Sequence, residues 1–233
     1  MKICLFGVTG IPLGKHNLKD PRLDQIHELV EAQKRTYAQV DVAEEKEMAT
    51  CDAILTRCDV LSDLLTKDLD FVETRLGRDP GAEEKAVLQK LADGLISEQP
   101  VSALGLTPEE LGAISAHNFF TNRAVVAADA AELAAPDPLL VRAFREAGYI
   151  SFLTVGGKEN RAWPVRAGST AWEAAGSIHT DIQKGFIRAE IISFADLVEA
   201  GGETQAKRAG KLRLELKTYV MQDYDVTNFR FNK

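Results

Sequence analysis

The chain has 233 residues, of which 45% are hydrophobic and 27% charged, and its formal net charge is −7. This composition is typical of a folded globular protein and excludes collagen-like, mucin-like and disordered chains. No apolar run approaches the ~20 residues that a membrane-spanning helix needs, and three cysteines cannot form a disulfide framework, so we expect a cytoplasmic protein with no membrane partner.

The first elements in chain order alternate between strand and helix. Residues 2–8 are mostly apolar and predict a buried strand. A loop over residues 9–19 contains Gly10, Pro12 and Gly14, and Asp20 followed by Pro21 then predicts the start of a helix. Residues 37–42 predict a second strand, and residues 51–55 are a weaker strand candidate.

The middle of the chain predicts a helical hairpin over residues 60–97. Leucine and valine recur every three or four residues on both sides of an Asp79-Pro80-Gly81 turn, as in two antiparallel helices. Thr107 and Glu110 form a capping-box pattern that predicts a short helix. A strand over 123–128 and a helix over 139–147 follow.

Strands dominate the sequence from residue 150 onward. Apolar runs predict strands at 150–155, 161–165, 187–194, 219–221 and 226–231, with helices at 170–179 and 194–200. A strand pair, a crossing helix and further strands within about 80 residues are typical of a β-grasp fold. We therefore predict an α/β protein with domains at residues 1–148 and 149–233.

Three segments of the second domain carry a family resemblance. Residues 152–163, residues 178–190 (IHTDIQKGFIRAE) and residues 219–232 resemble the TGS domain of the YchF/Obg-like ATPases. The middle segment is similar to that family's HTDxxKGFIRAE signature. Where the family reads Asp-Gly-Asp, this chain has Asp223-Tyr224-Asp225, so a tight turn must accept a tyrosine.

Weaker similarities in the same order extend the resemblance into the first domain, at residues 20–24, 36–43, 52–54, 105–111 and 118–119. The resemblance implies a reduced P-loop NTPase-like α/β layer with a short helical hairpin, followed by a β-grasp TGS domain. The chain is shorter than full-length members of the family.

The phosphate-binding loop of such a domain requires the spacing GxxxxGK[ST]. This chain has Gly10, Gly14, Lys15 and His16 at the matching place, with one residue fewer between the glycines. A shortened loop cannot trace the same ring of backbone N–H groups. The imidazole in place of a hydroxyl is a poor ligand for Mg²⁺, which prefers oxygen.

Two further family motifs are altered. Asp41 retains the aspartate of the DxxG motif, but Glu44 replaces its glycine, and Asp129 with Glu132 replaces the base-recognition pattern NxxE. We predict a degenerate nucleotide site that has lost hydrolysis, with no Mg²⁺, no catalytic residue and no firmly bound cofactor. Residual ATP or GTP binding is the alternative, and the histidines and cysteines form no metal-ligand spacing.

The second domain has a different charge balance from the first. Residues 151–233 hold 12 Lys and Arg against 10 Asp and Glu. Six cations within thirty residues are candidates for contacts with RNA phosphates or a partner: Lys184, Arg188, Lys207, Arg208, Lys211 and Arg213. Interleaved glutamates favour the alternative of a solvated surface. His179 and Trp163 are candidates for stacking on bases, while a core position is the alternative for Trp163.

These observations lead to three functional hypotheses. The first is a YchF-like TGS-domain binding protein that acts on the ribosome, RNA or a translation-related partner, with no DNA partner. The second is an ATP- or GTP-binding protein with weak NTPase activity. The third is a protein-interaction scaffold that uses the helical hairpin.

Overall fold

A computed structural model describes residues 1–232 of the chain, and it forms two compact units. The first unit holds residues 1–16 and 40–147, and the second holds residues 17–39 together with the segment from Gly148 onward. The last crossing of the chain from the first unit to the second lies between Ala147 and Gly148, whereas residues 17–39, which the sequence analysis assigns to the first domain, belong to the second unit. That residues 149–233 fold alone stays a prediction, and in this structure residues 17–39 accompany them.

The strands, in chain order, are β1 (Lys2–Phe6), β2 (Gly14–Asn17), β3 (Ala32–Thr36), β4 (Gln39–Ala43), β5 (Ala53–Arg57), β6 (Ala124–Ala128), β7 (Tyr149–Thr154), β8 (Gly157–Arg166), β9 (Phe186–Ile192), β10 (Arg213–Glu215) and β11 (Val226–Phe231).

The helices are α1 (Pro21–Leu29), α2 (Leu61–Leu76), α3 (Ala82–Ile96), α4 (Pro108–Ala113), α5 (Ala130–Leu133), α6 (Pro136–Glu146), α7 (Ala171–Ile178), α8 (Thr180–Lys184), α9 (Phe194–Ala200) and α10 (Glu203–Arg208). None of the helices in residues 1–232 is both long and apolar enough to cross a membrane.

The first unit is built on a sheet with the strand order β2-β4-β1-β5-β6. Strand β1 pairs in parallel with β4 and β5, and β5 pairs in parallel with β6. Neighbouring residues of the central strands, among them Ile3, Cys4, Ile54 and Leu55, are fully buried. Both faces of the central strands are therefore covered, as is usual for a parallel sheet, and the predicted α/β layer is confirmed.

Helices α2 and α3 form the predicted hairpin, which has a core of its own. Val72, Leu88 and Leu91 are fully buried in a cluster that also includes Phe119. Asp68 of α2 is 2% exposed. Its carboxylate accepts hydrogen bonds from the backbone N–H groups of Phe120 and Thr121, at 2.8 and 2.7 Å, and from the Thr121 hydroxyl at 2.7 Å. A buried carboxylate with three donors thus anchors the chain that follows the hairpin.

The second unit has a mixed sheet with the order β10-β9-β11-β7-β8-β3. Strands β7 and β8 form an antiparallel hairpin, and β11 enters the sheet parallel to β7 and antiparallel to β9. Helix α7 packs on one face through Ala171, Ala174 and Ala175, against Phe152 and Ile191. This arrangement is the predicted β-grasp core, and small alanines let the helix lie close to the sheet.

Residues 17–39 contribute α1 and β3 to the second unit. Asp20 caps α1, as predicted, and β3 pairs in parallel with β8 at the sheet edge. Asn160 of β8 is fully buried and joins the segment to the sheet. Its amide nitrogen donates to the Val30 carbonyl at 2.8 Å and to His27 Nδ1 at 3.1 Å, and its oxygen accepts from the Gly156 N–H at 2.8 Å.

Two sequence predictions about these elements are wrong, and five short elements were missed. Residues 219–221 form no regular strand, because Val220 makes an isolated bridge to Thr170 that does not extend along the chain. The loop predicted over 9–19 contains strand β2. The elements that were not predicted are β3, β10, α5, α8 and α10; β3, for example, reads Ala-Gln-Lys-Arg-Thr, without alternating apolar residues.

Candidate functional site

The loop that follows β1 closes on itself through His16. Gly10 and Gly14 have φ of +90° and +103°, in the range that glycine adopts most easily. The His16 ring donates from Nε2 to the Pro12 carbonyl at 2.6 Å. Gly14, Lys15 and His16 then form most of β2, the edge strand of the sheet, and Lys15 is exposed.

This path differs from that of a phosphate-binding loop. Such a loop passes directly into a helix, whose first N–H groups and dipole face the phosphates. Here a strand follows the loop, and the next helix along the chain starts at Pro21, in the second unit. Lys15 and His16 are therefore placed by strand geometry and do not stand at the start of a helix.

Asp41 lies in β4, between the central strand β1 and the edge strand β2 that carries Lys15 and His16. In the register of β1 and β4, Asp41 stands opposite Lys2, at the amino end of β1, while the loop begins after Phe6 at the carboxyl end. Four residues of strand separate the two levels, about 13 Å at roughly 3.3 Å per residue. The pKa of Lys2 is raised, chiefly by its hydrogen bond to Glu47 and to a smaller extent by Asp41.

Asp129 and Glu132 cap the short helix α5. The Asp129 carboxylate accepts from the Glu132 N–H at 2.9 Å, and the Glu132 carboxylate accepts from the Asp129 N–H at 3.2 Å. Glu132 also pairs with Arg142 at 3.0 Å. This is a reciprocal capping box, so both carboxylates already hold structural partners at the carboxyl end of β6.

A cleft of about 480 Å³ opens where β1, β5 and β6 end. Its lining includes Thr9, Arg57, Cys58, Asp59 and Asp129. Open parallel sheets bind ligands at the carboxyl ends of their strands, where the strand order reverses, and β1 is that point in this sheet. Of the seven candidate nucleotide residues, Asp129 lines the cleft. Sequence reasoning missed Arg57, Cys58 and Asp59, although their position directly after an apolar strand could have indicated them.

The cation candidates of the second unit divide into two groups. Lys207 pairs with Glu203 at 2.5 Å, Lys211 with Asp196 at 2.7 Å, and Arg213 with Asp225 at 3.8 Å. The hydrogen bond to Asp196 raises the pKa of Lys211. Within residues 1–232 the structure gives no acidic partner to the remaining three, which are Lys184, Arg188 and Arg208. Half of the set is thus engaged in the protein's own ion pairs.

The described part of the chain contains no group of three or more His, Cys, Asp or Glu side chains that could hold a metal ion.

Comparison with known proteins agrees with the signature in the second unit. A family model named YchF-GTPase_C, described as "Protein of unknown function (DUF933)", matches residues 149–232. The curated "Ribosome-binding ATPase YchF" of Haemophilus influenzae is 34% identical over 234 aligned positions, covering 73% of this chain and 64% of the relative. The chain belongs to the YchF/Obg-like family. A protein with the same name from Escherichia coli O157:H7 is 51% identical over 106 residues, 43% of this chain and 29% of the relative.

The solved structure of the Schizosaccharomyces pombe YchF GTPase has the same fold. It superposes with a TM-score of 0.77 at 19% identity and covers 99% of this chain and 97% of that chain. The alignments to the two curated YchF proteins span 64% and 29% of their length, so the chain matches part of these relatives.

The YchF signature over residues 178–190 forms the end of α7, helix α8 and most of β9. The His179 ring accepts from the Asp181 N–H at 3.1 Å and caps α8. At Gly185 a side chain has no space, since a Cβ there would lie 2.0 Å from the Asn232 carbonyl oxygen. The signature glycine therefore permits the close approach of the chain end, where Asn232 N–H donates to the Gly185 carbonyl at 2.9 Å.

Tyr224 lies in the turn where the family resemblance leads us to expect glycine. Its φ is +64°, the left-handed region that disfavours a side chain, and yet the residue is 3% exposed. The Arg22 guanidinium lies 3.6 Å from the centre of its ring, and the Phe194 ring packs edge-on at 6.0 Å. Packing against α1 and α9 offsets the backbone strain at Tyr224.

Proposed function

We propose that this YchF relative is a ribosome-associated protein of the cytoplasm that binds through its second unit and no longer hydrolyses nucleotide. The observation that carries the proposal is the match of residues 149–232 to the YchF C-terminal family, together with relatives whose name is "Ribosome-binding ATPase YchF". The association with ribosomes, rather than the ATPase activity, is the property we transfer to this chain.

The loss of hydrolysis is supported by the first unit. Lys15 and His16 lie in β2 instead of at the start of a helix, Asp41 lies level with the amino end of β1, and Asp129 with Glu132 caps α5. A Mg²⁺-nucleotide needs a phosphate loop, a hydroxyl ligand and an acidic residue within one site. The residues present do not fit that group, and we derive no reaction step through it.

Titration calorimetry with ATP and GTP, with and without Mg²⁺, tests this part of the proposal. We expect no micromolar affinity and no Mg²⁺ dependence, and the variant Lys15→Ala should behave as the parent chain does. Lys85→Ala, which removes an exposed lysine of α3, is the matched control. Micromolar binding that Lys15→Ala abolishes and Lys85→Ala preserves would contradict it.

A nucleotide-binding protein with weak NTPase activity is the second candidate, and the cleft at the ends of β1, β5 and β6 favours it. Its volume of about 480 Å³ falls within the range of small-molecule sites. Asp129 stands in its wall where the family has its base-recognition motif. Binding that Asp129→Ala weakens, while Lys15→Ala leaves it unchanged, would favour this candidate.

A protein-interaction scaffold is the third candidate, supported by a groove on the helical hairpin. The groove measures about 480 Å³ and is lined by Phe71, Arg75, Arg78 and His117, among others, and Phe71 is 43% exposed. If the hairpin carries the main contact, Phe71→Ala should abolish ribosome association and changes in the second unit should not.

A further inference from the structure

Part of the sheet in the second unit, towards its edge strand β3, carries side chains that are partly or fully exposed. Side chains on successive strand residues alternate between faces, and the face that carries Phe152 is covered by α7. Farther across the same face, towards the edge strand β3, the register aligns Lys34 with Glu159, Thr36 with Arg161, and Arg161 with Thr154. These side chains are all partly or fully exposed.

An aromatic ring and a guanidinium group are stacked on this open face. The Arg161 guanidinium lies 3.9 Å from the centre of the Trp163 ring, and Trp163 follows Arg161 by two residues on the same strand. The indole N–H donates to the Thr154 hydroxyl at 2.9 Å, which fixes the plane of the ring. The Trp163 ring is therefore held in one orientation at the edge of the hydrophobic core, where it can serve as a stacking platform.

One carboxylate, that of Glu159, lies close to both cations beside the Trp163 ring. Glu159 accepts from the Thr36 hydroxyl at 2.8 Å, and it lies 3.2 Å from the Lys34 amino group and 3.5 Å from the Arg161 guanidinium. These contacts lower the pKa of Glu159, with the Thr36 hydrogen bond as the largest cause. Two cations against one carboxylate leave an excess positive charge, and the Lys34 side chain is 67% exposed.

We propose that this face, formed by Lys34, Thr36, Glu159, Arg161 and Trp163 and named here the stacking face, binds an unpaired segment of RNA. A base stacks on the Arg161–Trp163 pair, Lys34 and Arg161 contact phosphates, and the Thr36 hydroxyl and Glu159 carboxylate offer acceptors to base or sugar. The inference rests on the proposed ribosome association and names the surface and the partner that serve it.

Single-stranded RNA is favoured over other partners by the chemistry of this surface. Aromatic and arginine planes on an exposed sheet accept unstacked bases of any sequence, and adjacent cations follow the phosphates. A protein partner would favour a contiguous apolar surface, whereas the stacking face is polar around a single indole. Duplex RNA keeps its bases stacked on one another and cannot use the platform.

The two tryptophans of the chain allow a direct optical test. Trp172, the second one, lies in α7 and is 44% exposed, so it serves as the matched control. The full chain is prepared as Trp172→Phe, which retains Trp163, and as Trp163→Phe, which retains Trp172. Each is titrated at low salt with a twelve-nucleotide single-stranded RNA, and with a duplex of the same sequence.

We expect saturable quenching of Trp163 emission by the single strand, little quenching by the duplex, and none of Trp172 emission. Arg161→Ala should weaken binding about tenfold, the lower part of the range for losing one stacked base. Two neutralised phosphates give a log–log salt slope of about −1.4, and Lys34→Ala should reduce it to about −0.7. Lys217→Ala, an exposed lysine in a loop, should change neither value.

The failures of the two proposals are distinguishable. If the parent chain sediments with ribosomes and Arg161→Ala sediments equally well, without quenching of Trp163 by RNA, the stacking face is refuted and the ribosome association stands. If RNA quenches Trp163 and the chain never sediments with ribosomes, the association is refuted and the stacking face stands. Equal quenching by duplex and single strand, or of Trp172 and Trp163, would overturn the stacking face. Urea unfolding of each variant verifies that the fold is retained.

Discussion

Replacing Asn160 by alanine should detach residues 17–39 from the sheet of the second unit. The change leaves three groups without their partner, namely the Gly156 N–H, the Val30 carbonyl and His27 Nδ1. Each buried polar group that loses its hydrogen bond costs about 1–3 kcal/mol. Water reaches His27, which is partly exposed, so we take the low end for each group and expect about 3 kcal/mol in total.

Urea unfolding followed by tryptophan emission measures this cost, because Trp163 and Trp172 both lie in the second unit. With a slope of about 1.5 kcal/mol per molar urea, the midpoint should fall by about 2 M. Asn228→Ala is the matched control, since Asn228 is exposed and donates one hydrogen bond, to Glu190, and its midpoint should move by less than about 0.5 M. Equal midpoints for the two variants would refute the role assigned to Asn160.

Three further changes test the packing of each unit. Gly185→Ala should destabilise the second unit by about 1–3 kcal/mol, the usual cost of overpacking, because the added Cβ meets the Asn232 backbone. The control is Gly112→Ala, where a Cβ has open space. Equal urea midpoints for the two variants would contradict this expectation. Asp68→Ala should cost the first unit about 3 kcal/mol through its three lost hydrogen bonds, measured by circular dichroism against the exposed Asp70→Ala. Arg75 and His117 lower the pKa of Glu84 to about 2, so the hairpin should lose stability as the pH falls from about 4.5 towards 2. Glu84→Gln should reduce that pH dependence, and an unchanged profile would exclude this ion pair as a cause of it.

Much of the fold could be predicted from local sequence because its signals are local. The leucine spacing on both sides of Asp79-Pro80-Gly81 predicts the hairpin, and Thr107 with Glu110 predicts a helix start that the structure confirms. Strand β3 has no such signal, since its five residues are held by pairing with β8, more than 120 residues farther along the chain. The same distance hides the role of Asn160, which reads as an ordinary polar residue of a strand.

The candidate site, too, could be predicted from the sequence only in part. Sequence spacing predicts that Gly10, Lys15 and His16 belong to a degenerate phosphate loop, but it does not reveal that Lys15 continues into an edge strand. The register of β1 and β4 places Asp41 level with Lys2, about 13 Å along β1 from the point where that loop begins, and register is a property of the folded sheet. The sequence indicates Trp163 as a candidate for base stacking. That Lys34 and Thr36 lie near it is known only from the pairing of β3 with β8.

We expect this YchF relative to associate with ribosomes without help from a nucleotide, and sedimentation through a sucrose cushion measures that association. The full chain is mixed with purified ribosomes at low salt and at a constant Mg²⁺ concentration that keeps the ribosomes intact, with and without ATP, beside the Lys15→Ala variant. We predict that the same fraction of the chain pellets in all of these conditions and that the fraction falls as salt rises. Absence from the pellet at low salt, or pelleting that requires ATP and is lost in Lys15→Ala, would contradict the claim.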